Sequence, residues 1–158
     1  MSYMSQLKMN QKTIHFVTST GAYHKNNYKL NLSAVAFFIN GNKFSISQKS
    51  GGASCQIDSI LLALTIIEEL HAVINTHNFV IKNKSSTTIW RIYNLQKPLD
   101  KNKVKDKVKL KFQQVRHLLK CLALKGLTID IVYDHHNKTA KLLNKDHCNI
   151  FYKSFIKS

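Results

Sequence analysis

The sequence predicts an α/β domain whose mixed five-stranded sheet has three antiparallel strands, then two parallel strands reached through helical crossovers, with helices on its faces. Three observations carry this expectation. Short β-branched and aromatic runs flank an Asn40-Gly41 pair, the strongest short-range hairpin signal. The stretch from Lys49 to Asn75 repeats apolar residues at helical spacing. Two more strand-like runs, 79–83 and 127–133, are separated by helical patterns.

In chain order, residues 1–11 show no period and are expected to form a loose arm, leaving 12–158 as one domain. Thr13 to Thr18 reads as a strand, and Gly21, His24, Lys25, Asn26 and Asn27 as a polar loop. Leu32–Ile39 and Lys43–Ser47 are the arms of the Asn-Gly hairpin. The central helix follows, with Ser54 as N-cap and Ile57, Ile60, Leu61, Leu64, Ile67 and Leu70 as its main stripe. Leu62, Ala63, Ile66, Val73 and Ile74 widen that stripe, so the helix is expected to be covered on most sides. Asp58 is its one acid near the start, where a carboxylate complements the helix dipole.

Phe79–Asn83 reads as a buried strand, and Ser85 as the cap of a helix carrying Ile89, Trp90, Ile92 and Tyr93, with Trp90 and Tyr93 expected in the core. Pro98 ends that segment. Val104–Leu124 is a third helix, with Val108, Phe112, Val115, Leu118, Leu119 and Leu122 on one face, and Gly126 stops it. Leu127–Tyr133 is the fifth strand, and a last helical piece starts near Lys138.

The chain has 158 residues, with 24 Lys and Arg against 8 Asp and Glu, a formal charge of +16. That balance makes nucleic acid the first candidate partner and a membrane surface the second. Lysine greatly outnumbers arginine and asparagine is frequent, a bias that an AT-rich genome produces by itself, so the charge is discounted accordingly. Cys55, Cys121 and Cys148 lack paired metal-ligand spacing, which favours reduced thiols and gives no zinc signature. No run reaches the length of a membrane span and the N-terminus has no apolar signal core. The expectation is an intracellular, non-secreted protein without a membrane partner.

These elements, from about Thr13 to the end, resemble the ribonuclease H family. Phe16-Val-Thr-Ser-Thr20 stands where the family has a strand ending in Asp-Gly-Ser, Asp58 falls on its first-helix glutamate, and Asn83-Lys-Ser85 stands for its Thr-Asp-Ser. Val132-Tyr-Asp-His135 and Asn137-Lys-Thr-Ala-Lys141-Leu-Leu143 resemble its last loop and helix. The resemblance implies the family's fold and, through it, nucleic acid (RNA, DNA or hybrid) as partner.

The departures concern chemistry. The family's reaction uses clustered carboxylates to hold two divalent metals. On this alignment Thr18 or Ser19, Lys84 and Lys141 replace three of the four acids and Asp58 alone remains acidic. Two ammonium groups there would repel Mg²⁺ and are expected to pair with Asp58. The expectation is a pseudo-nuclease with no metal and no cofactor, binding nucleic acid as an accessory subunit. Two alternatives stand beside it. One is a protein-interaction module, or a component of a larger complex, on the same fold. The other is a divergent nuclease that joins Asp58 to Asp134 or to His135 and His136. The lysine-rich stretch from Lys97 to Lys111, above all Lys101, Lys103, Lys105, Lys107 and Lys109, is the candidate phosphate-binding surface, because basic side chains grip the backbone without reading bases.

Overall fold

The computed structural model describes residues 13–25, 28–94 and 106–134. The elements are β1 (Thr13–Lys25), β2 (Tyr28–Ile39), β3 (Asn42–Lys49), α1 (Cys55–Leu70), β4 (Asn78–Asn83), α2 (Ser86–Tyr93), α3 (Asp106–Leu124) and β5 (Thr128–Tyr133), with one 3₁₀ turn, Gly52–Ser54, leading into α1. The sheet order is β3-β2-β1-β4-β5. β1 pairs antiparallel with β2 and parallel with β4, and β4 pairs parallel with β5. This is the expected mixed sheet. The loose arm expected at 1–11 and the helical piece expected near Lys138 lie outside the described residues.

The β2–β3 hairpin turns on Asn40 at φ 52° and Gly41 at φ 81°. Two successive left-handed residues make the turn whose twist matches paired strands, and asparagine followed by glycine reaches it with the least strain. β1 differs from its expectation. It runs on to Lys25, through the stretch read as a loop, because residues 18–25 pair with 28–35 of β2 in a long hairpin. Its pairing with β4 ends at Val17–Lys82, so the rest of the hairpin extends past the parallel part of the sheet.

α1 packs on β1 and β2 with one side and on α3 with another. Phe16, Val35, Phe37, Ile60, Ala63, Leu64, Ile67, Phe79, Ile81, Phe112 and Val115 form one core between helices and sheet. Phe16 lies at its middle, its ring 4.8 Å from that of Phe37 and 6.2 Å from that of Phe79.

The start of α2 and the end of α3 follow their sequence signals. The Ser85 hydroxyl accepts the Thr88 N–H at 3.2 Å and caps α2. At the end of α3 the Gly126 N–H reaches the Ala123 carbonyl and the Leu127 N–H the Leu122 carbonyl, with Gly126 at φ 85°. This closing loop needs a left-handed residue, which is why the helix stops there. α2 differs from expectation in its aromatics: Trp90 is 54% exposed and Tyr93 51%, so neither is a core residue. Tyr93 instead serves as a tether, its hydroxyl accepting the Ile131 N–H of β5 at 2.8 Å.

Phe16→Ala removes the ring around which the core closes and is expected to cost about 3–5 kcal/mol, the usual range for emptying a buried aromatic site. Urea unfolding measures it; a loss below about 1 kcal/mol is incompatible with this packing.

Candidate functional site

The site lies where the parallel strands end against the first turns of α1. Thr18 is buried on the same side of β1 as Ile14 and Phe16, and its hydroxyl donates to the Lys82 carbonyl of β4 at 2.8 Å. Asn83 closes β4 and is fully buried. Its Oδ1 accepts the Ser85 N–H at 2.8 Å, which fixes the amide's orientation and turns Nδ2 inward. Nδ2 then donates to Thr18 Oγ1 at 2.8 Å and to Gln56 Oε1 at 3.2 Å, with Ser59 Oγ at 3.4 Å. Gln56 Nε2 in turn reaches Thr20 Oγ1 at 3.3 Å, and Ser59 Oγ donates to the Gln56 carbonyl at 2.6 Å. The network is made entirely of neutral hydroxyl and amide groups.

Gln56 and Ser59 are three residues apart and share a helix face, while Asp58 lies about 200° around from Gln56. The structure therefore places Asp58 outside this network. Its side chain faces α3, where Lys111 Nζ stands 2.6 Å from Oδ1. Ser54 Oγ donates to Oδ2 at 2.8 Å, Ser50 Oγ donates to the same oxygen, and Lys111 Nζ also reaches Ser54 Oγ at 3.0 Å. Ser54 thus stands at the N-cap position without capping, its hydroxyl committed to the carboxylate. The ammonium paired with Asp58 comes from Lys111. Lys84, expected there, is exposed in the turn between β4 and α2, and Lys141 lies outside the described residues.

Asp134 is at the same end of the sheet as Asn83, since its N–H donates to the Asn83 carbonyl at 2.9 Å. His135 and His136 lie outside the described residues, as do Lys101, Lys103 and Lys105. Lys107 is exposed and Lys109 half-buried in the first turns of α3. Lysines at every second position lie about 200° apart on a helix, so Lys107, Lys109 and Lys111 do not form a single stripe.

Beside the network lies a cleft of about 290 Å³ lined by Thr20, Gly21, Asn31, Gly52, Ala53, Cys55 and Gln56, at the N-terminal end of α1. Ser33 of β2 holds that end down, its hydroxyl donating to the Cys55 carbonyl at 2.9 Å.

No protein-family model and no curated protein matches the sequence. Solved structures do match. The LC11 ribonuclease H1 from compost, in complex with an RNA/DNA hybrid, aligns with a TM-score of 0.58 and 13% identity over 81% of this chain and 89% of that one. The ribonuclease H1 of Halobacterium salinarum aligns at 0.55 and 10% identity, over 85% and 98%. The chain has a ribonuclease H-like fold. A protease–reverse transcriptase of prototype foamy virus matches at 0.59 and 14% identity, over 85% of this chain and 20% of that one.

A ribonuclease H-like fold raises the question of two divalent metals. The described residues that meet here do not fit them. Mg²⁺ is held through carboxylates and retains tightly bound water, whereas this junction offers three hydroxyls, a glutamine and an asparagine whose N–H₂ points inward. Among the described residues no three His, Cys, Asp or Glu side chains cluster.

Gln56, Ser59 and Lys111 are the residues that sequence reasoning missed. Gln56 was within reach: it heads the helical stripe Ile60, Ala63 and Ile67, all fully buried.

The Asp58–Lys111 pair gives a stability prediction. The Asp58 side chain is 8% exposed and that of Lys111 32%. Lys111→Met is expected to cost about 2–3 kcal/mol, less than the roughly 3–5 of a fully buried pair because water screens the lysine. A double-mutant cycle with Asp58→Asn should return a coupling of about 1–3 kcal/mol in urea unfolding, and additive losses would contradict the pairing.

Proposed function

We propose that this protein is a non-cleaving ribonuclease H-like protein that binds nucleic acid through its backbone phosphates, as an accessory subunit. The observation that carries the reading is the neutral network of Thr18, Gln56, Ser59 and Asn83 where the fold brings strand ends and first helix together. Cleavage by two metals needs carboxylates to hold them, to generate the attacking hydroxide and to stabilise the leaving oxygen. Hydroxyl and amide groups already bonded to one another do none of this. The charge of +16 supports an anionic partner, and the similar LC11 ribonuclease H1 is known in complex with an RNA/DNA hybrid.

The phosphate contacts are assigned to Lys101, Lys103, Lys105, Lys107 and Lys109. In this reading Lys111 is excluded, because its ammonium is committed to Asp58. Binding of this kind follows phosphate spacing and discriminates little between base sequences.

Incubation of the protein with an RNA/DNA hybrid in Mg²⁺ or Mn²⁺ is expected to give no cleavage. Metal-dependent cleavage abolished by Asp58→Asn or Asp134→Asn would replace this reading with a divergent nuclease. Hybrid affinity should fall with salt at a log-log slope of roughly −0.7 to −0.9 per phosphate contact, and Lys107→Gln should make that slope shallower by about one such increment. Absence of binding at low salt would leave the protein-interaction reading in its place.

A further inference from the structure

We propose that the cavity between α2, α3 and the start of β5 binds a small carboxylate with an aromatic or branched apolar body, anchored on Arg116. The cavity has a volume of about 270 Å³ and shares no residue with the junction of Thr18, Gln56, Ser59 and Asn83. Its walls are Ile92 and Tyr93 of α2, Leu119 and Ala123 of α3, and Leu127 and Ile129 where β5 begins. Arg116 and Lys120 are the two charged side chains among the described residues of the lining, and no carboxylate accompanies them. Arg116, Lys120 and Ala123 are three or four residues apart in sequence, so they follow one another along one face of α3.

The anchor is held in place by the fold itself. Arg116 Nη2 donates to the Arg91 carbonyl, one of the last carbonyls of α2, which fixes the guanidinium against that helix end. Arg116 Nε, by contrast, is buried and has no hydrogen-bond partner among the described residues. A buried charged donor is unfavourable until an acceptor meets it, and a carboxylate oxygen is the strongest common acceptor for a guanidinium N–H. Lys120, exposed one turn along α3, adds a second positive charge. The Tyr93 ring, tied by its hydroxyl to the Ile131 N–H, gives an aromatic body a surface to pack on. The volume lies just under the roughly 300–1,000 Å³ of ordinary small-molecule sites, so it takes one ring or a short branched chain rather than a nucleotide. A backbone phosphate placed there would lose its water against hydrocarbon on most sides. One anionic head and one apolar body together match the lining.

Isothermal titration of the full chain with 3-phenylpropionate tests the proposal, alongside 3-phenylpropionamide, which lacks the charge, and acetate, which lacks the body. One 3-phenylpropionate per chain is expected, with the amide at least about tenfold weaker and acetate without measurable binding. Arg116→Met should weaken 3-phenylpropionate by at least about tenfold and leave the amide unchanged. Because Arg116 also holds the end of α2, a second variant guards against loss of fold: Ala123→Phe, at an exposed position of the lining, should fill the cavity and abolish binding with circular dichroism unchanged. Equal affinity for acid and amide, full binding in Ala123→Phe, or no binding of 3-phenylpropionate at millimolar concentration would overturn the assignment.

Discussion

A carboxylate buried between two helices has to be answered by a charge, and in this fold the answer is Lys111. Removing Asp58 from water without a partner would cost several kcal/mol, so α1 and α3 can pack only where the ammonium and the serine hydroxyls reach it. The next residue along α3, Phe112, is fully buried and enters the core beside the pair. One contact therefore sets the rotation of α1 about its own axis as well as the position of α3. With Asp58 turned toward α3, Gln56 and Ser59 are carried round to the sheet.

That rotation explains why the junction is neutral although an acid lies only two residues away in sequence. The parallel register of β1 against β4 sets Val17 opposite Lys82, and Thr18 and Asn83 follow on adjacent strands. Their side chains then meet Gln56 from above. Each group in this cluster is satisfied by another, which stabilises the strand ends and leaves no carboxylate among the described residues of the cluster. The same three elements supply a structural knot here, at the point where the resemblance places metal ligands.

Most of the architecture was legible because its signals are local. Asn40-Gly41 dictates a turn, Ser85 a helix start and Gly126 a helix stop, and the apolar periods of α1 and α3 match their buried faces. β1 was under-read because its second half is polar and earns its strand geometry from pairing with β2, a non-local partner that composition does not reveal. Trp90 and Tyr93 share helical spacing with Ile89, yet α2 is only two turns long and buries just one narrow face, with Thr88 and Ile92 on it. The site was the least legible part. Asp58 drew attention as the acid nearest the expected position, but chemistry on a helix depends on phase, and the phase is carried by Gln56, Ile60, Ala63 and Ile67.

Helical phase governs the lysines as well. Alternation at every second residue aligns side chains along one face of a strand, whereas a helix scatters them. Once α3 begins at Asp106, Lys107 and Lys111 share one side of the helix a turn apart, the first exposed and the second bound to Asp58, while the half-buried Lys109 lies about 200° round from each. The basic character of the sequence segment is thus divided on folding between solvent and the interior. Lys111 contributes stability through its partner and adds nothing to a surface potential, since its charge is cancelled within 2.6 Å. A run of like charges is therefore an upper bound on a binding surface, and the helix that carries it decides how much of the run reaches solvent.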